Sequence, residues 1–385
     1  MTRETDTNAR GQAADTEAWI ASAWNRTAAK IARNAADIGA SFPHASLGGR
    51  YNACPAHDWG AGFWPGLLWL AYRETGDAKL RETAEALERK LAETLTAYDE
   101  LHHDVGFMFS LSSVAQHKLL GDADARRHGL MAANLLAGRF NVNGDFIRAW
   151  PDWNGEDHSG WAIIDCMMNL PLLYWASKEL GDPRYKHIAM RHADMVLREF
   201  VRPDGSAYHI VCFDPETGER VGALAGQGYA PESAWARGAA WALHGFALSY
   251  GYTGEHRFLN AAKRVAQFFL ARLPEDKVPY WDFRLPDVSG MPRDSSAAAI
   301  AASGLLELAS HAGGADAEFY RSAGAAIVRS LDERYGAWEQ DEQGLLLHAT
   351  GYYEKNAYVD VPIIYGDYFF AEALLKLKGR TAFFW

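Results

Sequence analysis

The chain is poor in cysteine, in basic charge and in long apolar runs, and each shortage closes off a class of function. Only three cysteines, Cys54, Cys166 and Cys212, occur in 385 residues. No two form a CxxC pair, so zinc held by thiolates is not expected. An odd, scattered count fits reduced thiols in a cytoplasm. The net charge is −11, so the basic footprint of a nucleic-acid binder is missing. An anionic substrate would have to be held by local positive groups. No run reaches the ~18–20 apolar residues that span a bilayer. The first residues, MTRETDTNARGQAADTEAW, have no apolar stretch of a secretory signal. No GxSxG elbow, GxGxxG fingerprint or Walker loop occurs. The expectation is a cytoplasmic protein with no membrane or nucleic-acid partner, no metal and no cofactor.

What is abundant is apolar and aromatic. Apolar residues make up 49% of the chain, with 14 Trp, 17 Tyr and 18 Phe. Part of that belongs to a large core. Part suits a site for sugar rings, whose C–H faces pack on aromatic surfaces. A Gly-acidic pair recurs after apolar stretches, in RETGDAKL, KLLGDADA, KELGDPRY and YTGEHRF, at Gly76, Gly121, Gly181 and Gly254. HAGGADAEF at Gly314 is a looser copy. Each glycine suits a left-handed helix C-cap, and the acid that follows suits the start of the next helix. After each marker comes an amphipathic pattern, such as Leu80, Ala84, Leu87, Leu91 and Leu95. Before each marker the sequence is apolar nearly all round, which predicts a helix buried on most sides. Six such buried helices and about six amphipathic ones predict an all-α, (α/α)6 toroid of one domain, residues 17–385, after a polar tail, residues 1–16. A non-closing solenoid is the structural alternative. Tyr208–Phe213 and Val278–Phe283 read as short hairpin arms.

Polar residues share a register on the buried helices. Trp59, Asp104, Asp165 and Arg237 all precede their terminal glycine by 16 or 17 residues. Four first turns would then meet at one mouth of the barrel. Asp104, in HHDVGFMFS, could simply cap its helix. Asp165 resists that reading, because IIDCMM surrounds it with apolar residues, and a buried carboxylate is costly unless paired. Two carboxyl groups at one mouth raise each other's proton affinity, and burial adds to this. One of them could then stay protonated and serve as a general acid. Arg237 could pair with a carboxylate of the protein or of a ligand. His102, His103 and Asp104 are adjacent and are expected to point in different directions, so no metal is assigned to them.

The chain resembles the unsaturated glucuronyl hydrolases, glycoside hydrolase family 88. The matching segments include SFPH at Ser41–His44, DWGAGFWPGLLWL at Asp58–Leu70, HHDVGFMFS at His102–Ser110, IIDCMMNLPLLYWA at Ile163–Ala176, WARGAAWALHGFAL at Trp235–Leu248 and YGDYFFAEALL at Tyr365–Leu375. The resemblance implies the same toroid and removal of a 4-deoxy-hex-4-enuronic acid from the non-reducing end of oligosaccharides left by polysaccharide lyases. It also implies an unusual chemistry. A carboxyl group protonates C4 of the C4=C5 double bond, water adds at C5, and the resulting hemiketal opens and releases the glycosidic bond. The carboxylate-separation rule of ordinary glycosidases does not apply to that route. By position, Asp165 matches the general acid/base and Asp104 the aspartate that holds the ring hydroxyls and tunes it, with His103 beside them. His209 and Gln227 match residues near the attacking water and the substrate. Trp59, Trp150 and Trp241 match aromatic contacts, and Arg237 a substrate-side arginine. The segment after Leu345 departs from the family pattern, and LAGQGY around Gln227 matches loosely. Rival readings are an unsaturated rhamnogalacturonyl hydrolase, a sugar 2-epimerase and a non-catalytic sugar-binding toroid. An epimerase needs a histidine pair about the sugar, and a binder gains little from a buried acid.

Overall fold

The computed structural model describes residues 2–152 and 155–385, with side chains from residue 15 onward. Helix dominates. Helix α1 (Thr2–Ile38) runs unbroken through the stretch read as a polar tail. A hairpin, β1 (Phe42–Leu47) with β2 (Arg50–Cys54), leads to the first apolar helix, α2 (Phe63–Thr75), and its amphipathic partner α3 (Ala78–Ala97). The second apolar element is segmented into α4 (Val105–Phe109), a π turn at Ser110–Val114 and α5 (Ala115–Leu120), followed by α6 (Ala123–Gly138). The third is a 3-10 turn at Ile164–Met168 that runs into α7 (Leu170–Leu180), followed by α8 (Pro183–Glu199). Then come α9 (Ala236–Thr253), α10 (His256–Ala271), α11 (Ser295–His311), α12 (Gly314–Ser330) and α13 (Ile364–Leu377).

The turns follow the sequence signals. Gly76, Gly121, Gly181 and Gly254 are left-handed, with φ between 66° and 71°. A side chain there would strain the backbone, and Gly does not. Asp77, Asp122 and Asp182 then accept the backbone N–H of Lys79, Ala125 and Arg184, which caps the next helix. The looser copy behaves differently: α11 ends at Ala312 in an extended conformation, and Gly314 opens α12.

The apolar helices touch in chain order. Helix α2 meets the π turn and α5, α4 meets α7, α7 meets α9, α9 meets α11, α11 meets α13, and α13 returns to α2. Their amphipathic partners lie against them, α3 on α2, α8 on α7, α10 on α9 and α12 on α11, while α1 covers α2 and α13. Thus α9, α11 and α13 are buried on almost every side. Strands are few. Tyr208–Phe213 does contain one, β6 below, but Val278–Phe283 does not form a strand. It makes only two single bridges, Tyr280 to Arg293 and Trp235 to Asp282. In chain order the other strands are β3 (Phe140–Asn141), β4 (Phe146–Ile147), β5 (Trp161–Ile163), β6 (Ile210–Phe213) and β7 (Arg220–Leu224). The last three form one antiparallel sheet with β6 in the middle.

Close helix packing is bought with glycine. A Cβ on Gly245 of α9 would lie 2.5 Å from the Cβ of Met167 and 2.8 Å from its carbonyl oxygen, inside the turn that carries Asp165. Gly245→Ala should therefore destabilise the chain by about 1–3 kcal/mol through overpacking. Chemical denaturation would show this as a lower midpoint, and an unchanged midpoint would mean that the turn can yield.

Candidate active site

Backbone geometry brings the first turns of different helices to one cavity of about 190 Å³. Trp59, Asp104, Asp165 and Arg237 all line it, as their shared register predicts. His103, Trp150, His209 and Gln227 join them, together with His102 and Ile163. Of the residues singled out from the sequence, Trp241 alone is absent. It is 0% exposed and packs on Phe107 and Phe369, at 5.1 and 5.4 Å between ring centroids. The reason is depth: Trp241 lies one turn beyond Arg237 on the same face of α9, below the cavity and within the core. It is a core residue, not a wall of the site.

Asp104 stands at the head of α4 but makes no capping bond with its side chain. Its Oδ1 accepts from Asn169 Nδ2 at 2.9 Å, and its Oδ2 lies 3.4 Å from His103 Nε2 and from His102 Nδ1. Burial alone would raise its pKa. The neighbouring His103, and the donors of His103 and Asn169, outweigh burial and pull it down to about 2. Asp165 sits in the 3-10 turn after β5, not within a regular α-helix. Burial first, and the charge of Asp104 second, push its pKa up to about 7. The two carboxyl groups are therefore pushed in opposite directions, Asp104 toward its ionised form and Asp165 toward its protonated form.

His209 leads into β6. Its Nδ1 accepts the backbone N–H of Gln227 at 2.8 Å, which leaves Nε2 as the proton-bearing nitrogen. A contact of 3.2 Å from the same Nδ1 to the Ala225 carbonyl would call for the opposite tautomer, and the shorter bond to a donor that can only donate decides between them. Burial pulls the His209 pKa down to about 3, so the ring is neutral. Its Nε2 stands 3.6 Å from Asp165 Oδ2, and both atoms are buried without a hydrogen bond. Arg237 is held by the protein. It donates to Asp294 at 2.9 Å, to the Thr350 and Gly351 carbonyls at 2.6 and 2.9 Å, and to Gln227 Oε1 at 2.6 Å. The ion pair open to it in the sequence reading is thus internal, with Asp294. Gln227 has its carbonyl tied to Arg237 and keeps its NH₂ to offer a ligand.

Trp59 is set by its own turn. Asp58 accepts the Gly60 N–H at 2.8 Å, and the Trp59 ring rests near Tyr365, Phe107 and Phe63. The expectation that His102, His103 and Asp104 point apart is not met. Their donor atoms lie within 4.8 Å of one another, as do those of His44, Cys54 and Asp58. Distance alone would admit a cation at either cluster. In the first, the existing contacts among the two imidazoles, Asp104 and Asn169 already account for the arrangement, and we assign no metal. A raised carboxyl pKa is not by itself a sign of function. Asp367 is also pushed up to about 7 by burial, but both its oxygens accept hydrogen bonds, from Tyr51, Leu345 and Leu346. Asp165 differs in having a buried oxygen free to act. Sequence reasoning missed Asn169. It follows Asp165 by four residues, one helical turn, and that spacing was the signal available.

A second cavity of about 430 Å³ opens beside the first and shares Trp150, His209 and Gln227 with it. Trp161, Tyr352 and Lys355 line its far side, the last two from the segment after Leu345.

A helix-rich chain with an aromatic-walled cavity and two carboxyl groups of unequal acidity has the equipment of a carbohydrate-active hydrolase. The chain belongs to Glycosyl Hydrolase Family 88, whose model matches residues 40–307. It is 41% identical over 359 residues to an unsaturated glucuronyl hydrolase of Bacillus sp. (strain GL1), covering 92% of this chain and 95% of that one. It is 36% identical over 353 residues to an unsaturated chondroitin disaccharide hydrolase of Streptococcus agalactiae, with 90% and 88% covered. The crystal structure of the unsaturated glucuronyl hydrolase of Bacillus sp. GL1, described as responsible for the degradation of glycosaminoglycan, superposes with a TM-score of 0.90 at 39% identity, over 94% of this chain and 98% of that one.

Because Trp241 is in the core, Trp241→Ala should cost about 3–5 kcal/mol of stability, as large-to-small core changes do. Equilibrium unfolding measures this directly. A variant of wild-type stability with a raised KM would return Trp241 to the binding site.

Proposed function

We propose that this chain is an (α/α)6 toroid that removes 4,5-unsaturated glucuronic acid from the non-reducing end of lyase-generated oligosaccharides, in the cytoplasm, without a metal or cofactor. The contacts of the apolar helices in chain order, with the last against the first, support the closed ring. Family membership and relatives that carry this activity in their names support the reaction. The observation that carries the mechanism is the split acidity of Asp104 and Asp165 inside one aromatic-walled cavity.

In this reading the unsaturated ring lies in the smaller cavity beside Trp59 and Trp150. Ionised Asp104 accepts ring hydroxyls. Protonated Asp165 gives its proton to C4 of the C4=C5 bond as water attacks C5, and the proton lost by that water returns to Asp165. Neutral His209 donates from Nε2 toward the same oxygen of Asp165 or to the water between them. The hemiketal formed at C5 opens, and the glycosidic bond at C1 breaks without further help. Gln227, oriented by Arg237, binds the substrate through its NH₂. The larger cavity, with Trp161, Tyr352 and Lys355, receives the next sugar. An unsaturated rhamnogalacturonyl hydrolase would use the same chemistry on another linkage, so the choice rests on the names of the relatives. A 2-epimerase would require a titrating histidine pair, whereas His102 and His209 are both pulled far down by burial. A pure binder would have no use for the free buried oxygen of Asp165.

Incubation with a glycosaminoglycan lyase digest should abolish the ultraviolet absorbance of the conjugated C4=C5 bond, and prior dialysis against EDTA should leave that rate unchanged. A stable absorbance would overturn the proposal. A loss of rate restored by one divalent ion would overturn its metal-free form.

The pH profile tests the division of labour. Asp165→Asn should lower kcat/KM by at least the ~10²–10⁴-fold typical of general acid–base catalysis, with folding retained. In the wild type, rate should fall as Asp165 loses its proton near pH 7. Asp104→Asn removes a negative charge that raises the Asp165 pKa, so Asp165 should deprotonate more readily and the basic limb should move to lower pH. A basic limb that stays put or moves up in Asp104→Asn would refute the tuning role.

A further inference from the structure

Asn169 is fully buried and does not line the cavity of Asp104 and Asp165, yet it reaches that cavity through one of two hydrogen bonds of fixed sense. Its Oδ1 accepts the backbone N–H of Phe107 at 2.8 Å, and its Nδ2 donates to Asp104 Oδ1 at 2.9 Å. The backbone N–H can only donate, so it settles which end of the amide is oxygen. The NH₂ must then face Asp104. A donor fixed at that oxygen favours the carboxylate over the carboxylic acid. The Asn169 backbone is itself anchored, since its N–H donates to the Cys166 carbonyl at 2.9 Å, within the turn that carries Asp165.

The approach is too close to be incidental. A Cβ on Gly106 would lie 2.4 Å from Asn169 Cα and 2.5 Å from its Oδ1. Gly106, two residues after Asp104, is thus the glycine that admits Asn169 against the α4 backbone. One side chain therefore spans the two elements that carry the two aspartates.

We infer that Asn169 is a positioning residue for the reaction, which holds Asp104 as an oriented carboxylate and fixes its place relative to Asp165. The inference rests on the hydrolase reading above. Other charged or titratable groups also face Asp104: His102 and His103 from its own element, Asp165 and Cys166 from the 3-10 turn, and Arg139 beyond the end of α6. The first two already favour its ionised form, so loss of Asn169 should weaken that preference and not abolish it.

The test is kcat/KM against pH for wild type, Asn169→Leu and Asn169→Asp on a lyase-generated unsaturated disaccharide, with thermal melting alongside. Asn169→Leu removes both hydrogen bonds at similar volume. Asn169→Asp is isosteric and keeps the acceptor for Phe107, so thermal melting of the two variants separates loss of folding from loss of the donor to Asp104. In both, Asp104 should hold its proton to higher pH, so the acidic limb should move upward, and the rate at the optimum should fall by roughly 10–100-fold, less than the ~10²–10⁴-fold of an acid–base group itself because Asn169 acts through Asp104. The basic limb of Asn169→Leu should stay in place, because Asp104 is still charged where Asp165 titrates. Folded variants with the wild-type acidic limb would overturn the inference, whether or not their rates fall, since a purely structural role lowers rate without moving that limb. An inactive wild type would instead sink the hydrolase reading itself.

Discussion

The structure turns on two carboxyl groups that must share a buried cavity without sharing a protonation state. Burying Asp104 and Asp165 together is unfavourable for both charges, and the cheapest escape would be for each to take up a proton. The fold prevents this at one site only. Asp104 receives an amide donor from Asn169 and lies beside two imidazoles, so its charge survives burial. Asp165 receives no such donor at its buried oxygen and faces the charge of Asp104. The asymmetry between them comes from hydrogen-bond partners and not from depth, since Asp165, with the higher pKa, is the more exposed of the two.

That asymmetry depends in turn on how the helices begin. Two of the elements concerned begin irregularly, and a third breaks from regular α-helix soon after it begins. Trp59 opens a 3-10 turn, α4 gives way to a π turn after five residues, and Asp165 lies in a 3-10 turn between β5 and α7. Irregular starts let side chains from different helices aim at one point, where an ideal helix would spread successive residues by about 100°. The opposite ends are regular and closed by left-handed glycines. The site thus occupies the end of the helices where backbone geometry can be varied at least cost to packing.

Much of this was legible in the sequence because the signals were local. The Gly-Asp pairs mark helix ends by backbone sterics alone, and the alternation of apolar and amphipathic stretches gives the order of the layers. The register of Trp59, Asp104, Asp165 and Arg237 follows from equal helix lengths, and the cavity contains all four. What failed was whatever depended on depth in the packing or on distant partners. Trp241 shares a face of α9 with Arg237, but it lies one turn deeper, where Phe107 and Phe369 close over it. Val278–Phe283 has strand-like composition, yet its partners are single residues of separate loops. Asn169 was missed because its role depends on partners far away in the chain. Its partner, Phe107, lies 62 positions away in the chain.

The segment after Leu345 shows the same division between local and distant. It lacks a clear pattern, but its backbone carbonyls at Thr350 and Gly351 accept from Arg237, while Tyr352 and Lys355 line the larger cavity. Carbonyl acceptors do not depend on side-chain identity, so Arg237 can be held by a stretch whose sequence is free to change. Arg237 in turn fixes Gln227 at the boundary of both cavities. A single backbone strand therefore does two jobs under different constraints. Its main chain holds Arg237 at the cavity of Asp104 and Asp165, where geometry must be kept. Its side chains at Tyr352 and Lys355 line the larger cavity, where chemistry can vary without disturbing Asp104 or Asp165.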